Sequence, residues 1–400
     1  MKEVVIVDAV RTPIGRYKGA LKNVRPDDLA AVVIRALMER NSALSGQDVE
    51  EVVMGNANGA GEENRNVARM AGLLADLPVE TGGTTINRLC GSGMDAVIYA
   101  ARAIMAGEGD VFIAGGTESM TRAPFVMAKP EQEFPRGNME MFDTTIGWRF
   151  TNPLIDEKFG TDSMPQTAEN VAKRYKISRG EQDEFAVNSQ EKAASAMESG
   201  RLKDEIVPVT YYDRKGNEIV VDTDEHPRPG TSMEKLTKLR PLFTDGTITA
   251  GNASGINDGA SALLLMSADK AKELGFKPLA RYVASGTAGL EPAVMGLGPI
   301  YASQKALKRA NLTTDDIGLV ELNEAFASQS LACINELGLN EDIVNVNGGA
   351  IAYGHPLGAS GARILTTLIH EMSKRGTKYG LATMCIGVGQ GIATIIENME

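Results

Sequence analysis

Short apolar runs alternate along the chain with longer stretches whose apolar residues recur at helical spacing. Val4 to Val7 reads as a strand, and in Asp27 to Arg40 the residues Leu29, Val32, Val33, Ala36 and Leu37 fall on one helical face. Val52 to Met54, Asn64 to Leu74, Thr84 to Leu89, Met94 to Met105 and Val111 to Ala114 continue the alternation. This rhythm predicts an α/β protein whose mixed or parallel sheet carries helices on its faces. From about Met120 to Pro241 the texture changes: prolines, charges and the only tryptophan, Trp148, crowd in. Helical patterning there is confined mainly to Thr167 to Tyr175 and Arg179 to Ser199, so we read this stretch as an insertion that covers something. After Thr249 the rhythm resumes and runs to the end. Sliding the sequence by 267 positions lays Asn56 on Asn323 after an apolar run, and Gly91 on Gly358 at the start of a helix-like segment. That offset points to two similar α/β halves with a site between them.

With 400 residues, 43% apolar and 23% charged, the composition is that of a soluble globular protein of about two or three domains. Lys plus Arg total 41 against 52 Asp plus Glu, a formal charge of −11, which disfavours a general nucleic-acid binder. No long apolar run predicts a membrane span, and Met1 to Asp8 enters a strand-like V-V-I-V rather than a secretion leader. Cys90, Cys333 and Cys385 lie far apart, giving neither a disulfide framework nor a C-x-x-C metal pair. A reducing, cytoplasmic location is expected, with no metal site.

Five stretches could carry chemistry. In Asn87-Arg88-Leu89-Cys90-Gly91-Ser92-Gly93-Met94 a cysteine stands just before a helix, where the dipole and free N–H groups are expected to lower its pKa. Flanking glycines would permit the turn that exposes it and argue against a mere buried hydrophobe. The same residues satisfy a dinucleotide-binding pattern, Gly91-x-Gly93-x-x-Ala96, but two βα units precede it, whereas that fingerprint opens a domain's first. Gly348 to Gly361 packs His355 among glycines, and imidazole is suited to proton transfer near neutrality. His226 and His370 are read as satisfied loop histidines. Cys385-Ile386-Gly387-Val388-Gly389-Gln390-Gly391 reads as a second exposed thiol beside free amides, or as a hairpin turn; Cys333 is assigned to packing. Glu321 to Ala327 reads as an N-cap, Asn323, with a helix behind it. Thr249 to Ala260 is a Gly/Asn/Ser loop of the kind that cradles a polar ligand, or a plain connector.

Taken in order, N-R-L-C-G-S-G, T-A-G-N-A-S-G-I-N-D-G-A, N-E-A-F-A, G-G-A-I-A-Y-G-H-P-L-G-A-S-G and C-I-G-V-G-Q-G resemble the thiolase family over nearly the whole chain. The resemblance implies two repeated α/β halves in five layers, α-β-α-β-α, with an inserted loop domain. On that basis residues 1–119 and 249–270 form the N-terminal half, 120–248 a loop domain over the coenzyme A (CoA) site, and 271–400 the C-terminal half. It also implies roles: Cys90 the acylated nucleophile, His355 its base, and Cys385 the acid/base at the α-carbon of acetyl-CoA. Asn323, through a held water, and His355 would form one oxyanion hole, the N–H groups of Cys90 and Gly387 another. Expelling an enolate from a 3-oxoacyl thioester needs such donors and a proton for carbon, which two thiols and an imidazole supply without metal or redox cofactor.

By the same match Met164, Ser254, Ala250, Phe243, Met295 and Phe326 would line the pantetheine channel, and Arg228 would meet the phosphate end of CoA. Between His226 and Arg240 the cations Arg228, Lys235, Lys238 and Arg240 outnumber the acid Glu234, which suits a polyanionic ligand. The V-G-Q form of the last motif resembles degradative thiolases, although condensation of two acetyl-CoA molecules is the alternative direction. Asn66 to Ala71, Asp143 to Phe150 and Asp222 to Pro229 are similar to the family's 3-oxoadipyl-CoA thiolases, which makes Arg149 a candidate partner for a distal carboxylate. The resemblance further implies a homodimer or homotetramer with residues 120–152 as the tetramer contact, acyl-CoA as the small-molecule partner, and no nucleic acid or membrane. A nicotinamide oxidoreductase and a noncatalytic CoA-binding relic are the competing classes.

Overall fold

The computed structural model describes residues 1–399. In the N-terminal half the elements run β1 (Val4–Arg11), α1 (Pro26–Arg40), β2 (Glu51–Gly55), α2 (Val67–Leu74), β3 (Gly82–Ile86), α3 (Ser92–Ala106) and β4 (Val111–Ser119). An insertion bearing α4 (Met164–Tyr175) and α5 (Arg179–Glu198) follows, and β5 (Asn257–Ser267) completes the half. The second half runs β6 (Ala280–Gly289), α6 (Gly298–Ala310), β7 (Leu319–Leu322), α7 (Ala327–Leu337), α8 (Leu357–Arg375), β8 (Tyr379–Ile386) and β9 (Gln390–Asn398). The insertion also holds two short hairpins and the helices Pro153–Phe159 and Met233–Thr237, which the sequence pattern did not mark.

The halves repeat one topology. The first orders its strands β3-β2-β4-β5-β1 and the second β7-β8-β9-β6, with Val344 bridging to Val320 where β3 pairs in the first. In both, the β2–β4 or β7–β8 pair is parallel and the next two pairings are antiparallel. A short antiparallel contact, Val5 with Arg281 and Ile6 with Ala280, joins β1 to β6.

Alternation along each strand sorts side chains into separate cores. In β1, Val4, Ile6 and Ala9 face the central layer, while Val5, Val7 and Val10 face α1 and α2. The central layer is α3 and α8, whose Met94, Ile98, Ile104, Leu365, Leu368 and Met372 share one cluster with strands of both halves. Outside the second sheet lie α6 and α7, through Ile300, Ala306 and Ile334. These are the five layers α-β-α-β-α, and continuous apolar runs such as Leu263 to Met266 follow from burial on both faces.

The two central helices approach backbone to backbone. A Cβ on Gly93 would stand 2.6 Å from the Gly358 carbonyl oxygen, one on Gly361 2.4 Å from the Met94 nitrogen, and one on Gly116 2.0 Å from Gly358 O. The insertion is pinned by buried ions: Arg11 Nε meets Glu205 at 2.6 Å and its terminal nitrogens meet Asp224 at 2.8 and 2.9 Å. Among the described residues no helix is long and apolar enough to cross a membrane.

Because no side chain fits the crossing, Gly361→Ala is expected to destabilise the protein by about 1–3 kcal/mol. Gly180→Ala, whose added methyl meets nothing nearer than 3.9 Å, should stay within about 0.5 kcal/mol of the parent. Thermal unfolding of the two variants side by side checks this.

Candidate active site

Cys90 sits on a tight turn between β3 and α3. Leu89 adopts φ +47°, a left-handed conformation uncommon for a residue with a bulky side chain. Its neighbours hold it there: Leu89 N–H donates to Asn87 Oδ1 at 2.9 Å, and Ser92 Oγ donates to the Leu89 carbonyl at 2.6 Å while accepting from Arg88 N–H at 2.8 Å. Part of Cys90 faces a cavity, yet the sulfur is surrounded by protein, and burial pushes the thiol up to about 11. The N–H groups of Gly387 and of Cys90 itself oppose that shift but do not overcome it. The expected dipole-lowered thiolate is therefore corrected to a protonated thiol, because desolvation outweighs the helix N-terminus.

The Gly387 N–H comes from the hairpin joining β8 and β9, where Val388 at φ +62° and Gly389 at φ +76° make the turn. Cys385, at the end of β8, is 1% exposed and packs with Ala168, Ile248, Met295, Ala325 and Phe326, against which Met164 and Ala253 also rest. The expectation of an exposed thiol is corrected: apolar side chains from four segments close over the strand end. Burial, and then the charge of Cys90, hold the Cys385 thiol well above its ordinary value, so the two sulfurs are electrostatic neighbours. Gln390, of the same motif, accepts from Arg88 at 3.3 Å, and Arg88 is also paired with Asp95 at 2.7 Å.

His355 precedes α8. Gly354, at φ +100°, has no room for a Cβ because Asn257 fills the space, and Asn257 Oδ1 accepts the His355 N–H at 3.0 Å. His355 Nδ1 lies 2.6 Å from Ser360 Oγ, which donates to the Pro356 carbonyl at 2.9 Å. A carbonyl can only accept, so the Ser360 lone pair takes the Nδ1 proton and Nε2 is left as the base. Buried Nε2 has no protein partner. Burial, then Arg363, drives the imidazole down to about 3, so it is neutral at physiological pH.

Asn323 is not a helix cap. Helix α7 begins at Ala327 with Phe326 at the cap position, because residues 323–325 first bend, with Ala325 N–H donating to the Asn323 carbonyl at 3.1 Å and Ser254 N–H donating to the Ala325 carbonyl at 3.0 Å. Asn323 is 1% exposed, and among the described residues neither its amide oxygen nor its nitrogen has a protein partner. Buried amides are normally satisfied, so this one is available to a ligand or water.

Sequence reasoning missed Glu118. It lines the Cys90 cavity, and Oε2 accepts from Ala57 N–H and Gly358 N–H, both at 2.8 Å, while Oε1 accepts from Asn58 N–H and Asn56 Nδ2 at 3.3 Å. Burial raises this carboxyl to about 7 against those donors. A glutamate inside the apolar strand V-F-I-A-G-G-T-E-S was the available signal. Buried Glu321 and Arg363, 3.6 Å apart with unpartnered atoms, were missed likewise.

Two cavities hold residues expected at the site. One of about 400 Å³ is lined by Cys90, Leu89, Gly387, Val388, Met164 and Glu118, with Trp148, Arg149 and Asn58 on its far wall. The other, about 610 Å³, gathers Arg228, Ala250 and Ser254 with Arg16, Lys235 and His226. Met295 and Phe326 lie in the buried cluster around Cys385, whereas Phe243 lines a separate cavity with Gln166, Glu169 and Asn170. Lys238 pairs with Glu234 at 2.6 Å. Gly91 and Gly93 serve packing, since Cβ atoms there would strike Ile386 and the Gly358 carbonyl; that is the physical reason the dinucleotide pattern fails.

The family models described as "Thiolase, N-terminal domain" and "Thiolase, C-terminal domain" match residues 4–269 and 276–398. The chain belongs to the thiolase family. Similar curated proteins include the "3-oxoadipyl-CoA/3-oxo-5,6-dehydrosuberyl-CoA thiolase" of Escherichia coli K12, 58% identical with 100% of both chains covered. A "Beta-ketoadipyl-CoA thiolase" of Acinetobacter baylyi is 55% identical, again over 100% of both. Among solved structures, the Bacillus anthracis acetyl-CoA acetyltransferase matches with a TM-score of 0.93 at 43% identity, covering 100% of this chain and 99% of that one. As a thiolase this chain is an acyltransferase that cleaves 3-oxoacyl-CoA with CoA, and the degradative reading fits its relatives.

The depressed His355 pKa ties thiolase stability to pH. The unfolded imidazole takes a proton below about 6.5 and the folded one only near 3, so stability present above 6.5 is lost as pH falls between those values. His355→Asn is expected to lose less thermal stability than the parent between pH 6 and pH 4, measured as the slope of Tm against pH.

Proposed function

We propose that Cys90 carries the acyl group and that the substrate is a 3-oxoacyl-CoA with a distal carboxylate. His355 Nε2 takes the proton of Cys90, and the thiolate attacks the 3-oxo carbon. The bond between the α-carbon and that carbon breaks, leaving the acyl group on Cys90 and the acetyl-CoA enolate. Cys385 protonates the enolate carbon. Once acetyl-CoA has left, the Cys385 thiolate takes the proton of incoming CoA, whose sulfur attacks the acyl carbon, and Cys90 leaves with the proton held by His355. The amides of Cys90 and Gly387 serve the tetrahedral oxyanion; Asn323, through a water, and His355 serve the enolate oxygen.

The observation that carries this reading is the single cavity lined by both Cys90 and Gly387, with Cys385 two residues before Gly387 at the end of β8. The insertion, residues 120–248, serves as the cover of the CoA site, with Arg228 and Lys235 placed for phosphates. Arg149 supports the dicarboxylic substrate because it lines the Cys90 cavity, tied to Asn58 at 3.3 Å, where a cation would offset the cost of burying a carboxylate. Exposed Phe125, Phe134, Met141 and Phe150 on the same segment support self-association as a dimer or tetramer, and the protein is read as cytoplasmic.

Incubation with acetoacetyl-CoA should leave an acetyl mass increment on the Cys90 peptide, absent in Cys90→Ser together with turnover. Cys385→Ala should keep labelling by acetyl-CoA and lose carbon–carbon cleavage; wild-type thiolysis in that variant would remove its acid/base role. For Arg149→Ala, kcat/KM with 3-oxoadipyl-CoA should fall about 10–100-fold while acetoacetyl-CoA changes little. An equal fall for both substrates refutes the distal-carboxylate site.

A further inference from the structure

His226 enters from the insertion and is 9% exposed. Its Nδ1 lies 3.1 Å from Asn257 Nδ2, and the same amide donates to the Gly15 carbonyl at 2.9 Å and accepts the His355 N–H on Oδ1 at 3.0 Å. A carbonyl only accepts and a backbone N–H only donates, so those two bonds fix which end of Asn257 is nitrogen. Its remaining proton therefore points at His226, Nδ1 must accept, and the histidine proton sits on Nε2.

Among the described residues no protein acceptor takes that proton. The ring lies against Gly255, where a Cβ would come within 2.3 Å of Cε1, and it lines the cavity that also holds Arg16, Arg228 and Lys235. Burial, then Arg228 and Arg16, depress the imidazole to about 4 against the weaker pull of Glu225, which keeps the ring neutral.

We propose that His226 is a CoA-binding residue whose Nε2–H donates to an acceptor oxygen of the CoA arm, with Asn257 holding its tautomer and joining this wall of the cavity to the His355 backbone. The proposal rests on the thiolase reading. The acceptor oxygen belongs either to a phosphate or to a pantetheine amide.

Two substitutions separate the two ends of the ring. In His226→Asn the side-chain oxygen can replace Nδ1 as the acceptor for Asn257, but the far donor is gone. We expect KM for CoA in thiolysis to rise about three- to tenfold, with a smaller change in kcat. His226→Gln keeps a donor near the Nε2 position and leaves Asn257 without its acceptor, so kcat should fall while KM for CoA stays nearer the parent. Repeating His226→Asn with pantetheine as acyl acceptor locates the oxygen: a KM rise for CoA alone places it on the phosphates, a rise for both on the amide arm. An unchanged KM for CoA in His226→Asn, equal KM and kcat effects in both variants, or the same loss with N-acetylcysteamine, which lacks the arm, overturns the proposal. Turnover and Cys90 acylation by the unsubstituted enzyme report separately on the thiolase reading.

Discussion

The structure depends on the contact between the N-terminal turns of its two central helices. Gly93 and Gly361 let the α3 and α8 backbones touch where any Cβ would overlap main-chain atoms, and Gly358 lets the start of α8 lie as closely against Asn56 and Thr117. Two chain ends are thereby brought to one place, since Cys90 immediately precedes the first turn of α3 and His355 that of α8. Glu118 locks the arrangement by accepting the Gly358 N–H at the start of α8 together with N–H groups from the Asn56 to Asn58 loop. A buried carboxylate on a helix N-terminus is favoured by the dipole as well as by its hydrogen bonds.

Burial at that crossing sets the electrostatics. It moves the Cys90 thiol and the His355 imidazole in opposite directions, each toward its uncharged form. A resting thiolate–imidazolium pair is thus disfavoured, and in the reaction proposed above charge would develop only as the proton passes and the sulfur attacks. Amides aimed at the developing oxyanion are worth most in such surroundings, because little solvent must reorganise around them. The fixed tautomer of His355 fits this picture. Ser360 takes the Nδ1 proton, so the free lone pair is always the one on Nε2.

The strand–helix alternation and the repeat were legible because each rests on a local rule, whereas the five layers came with the family resemblance. Short continuous apolar runs marked the strands, and neighbouring glycines marked the turns at Cys90 and His355. What escaped was set by tertiary contact. The Cys90 pKa was misread because the dipole is a local effect and desolvation is not. Asn323 was misread as a cap since its sequence context matches one, while Phe326 takes that place. Glu118 carries no motif of its own, and Asn257 and Ser360 lie inside motifs whose pattern does not show what each one holds; Glu118 meets Gly358 and Asn257 meets His226 only through the tertiary fold.

The repeat itself explains how one fold supplies both scaffold and reagent. The offset that lays Asn56 on Asn323 also lays Glu118 on Cys385, near the ends of the matched strands β4 and β8. In the first half the carboxylate accepts from Asn56 Nδ2 at 3.3 Å, and the Thr117 carbonyl accepts from the same nitrogen at 3.0 Å. In the second half the matched position holds a thiol, and Asn323 is left with neither amide atom engaged. A buried carboxylate demands donors and so binds its surroundings together; a buried thiol is a weak hydrogen-bonding group that demands almost nothing. Exchanging one for the other at equivalent strand ends leaves the asparagine without that acceptor and, in the reaction proposed above, would provide the proton that Cys385 gives up. The two halves keep one backbone and differ at this strand end: in the first a carboxylate ties the crossing together, and in the second a thiol leaves its neighbouring asparagine without a bond to it.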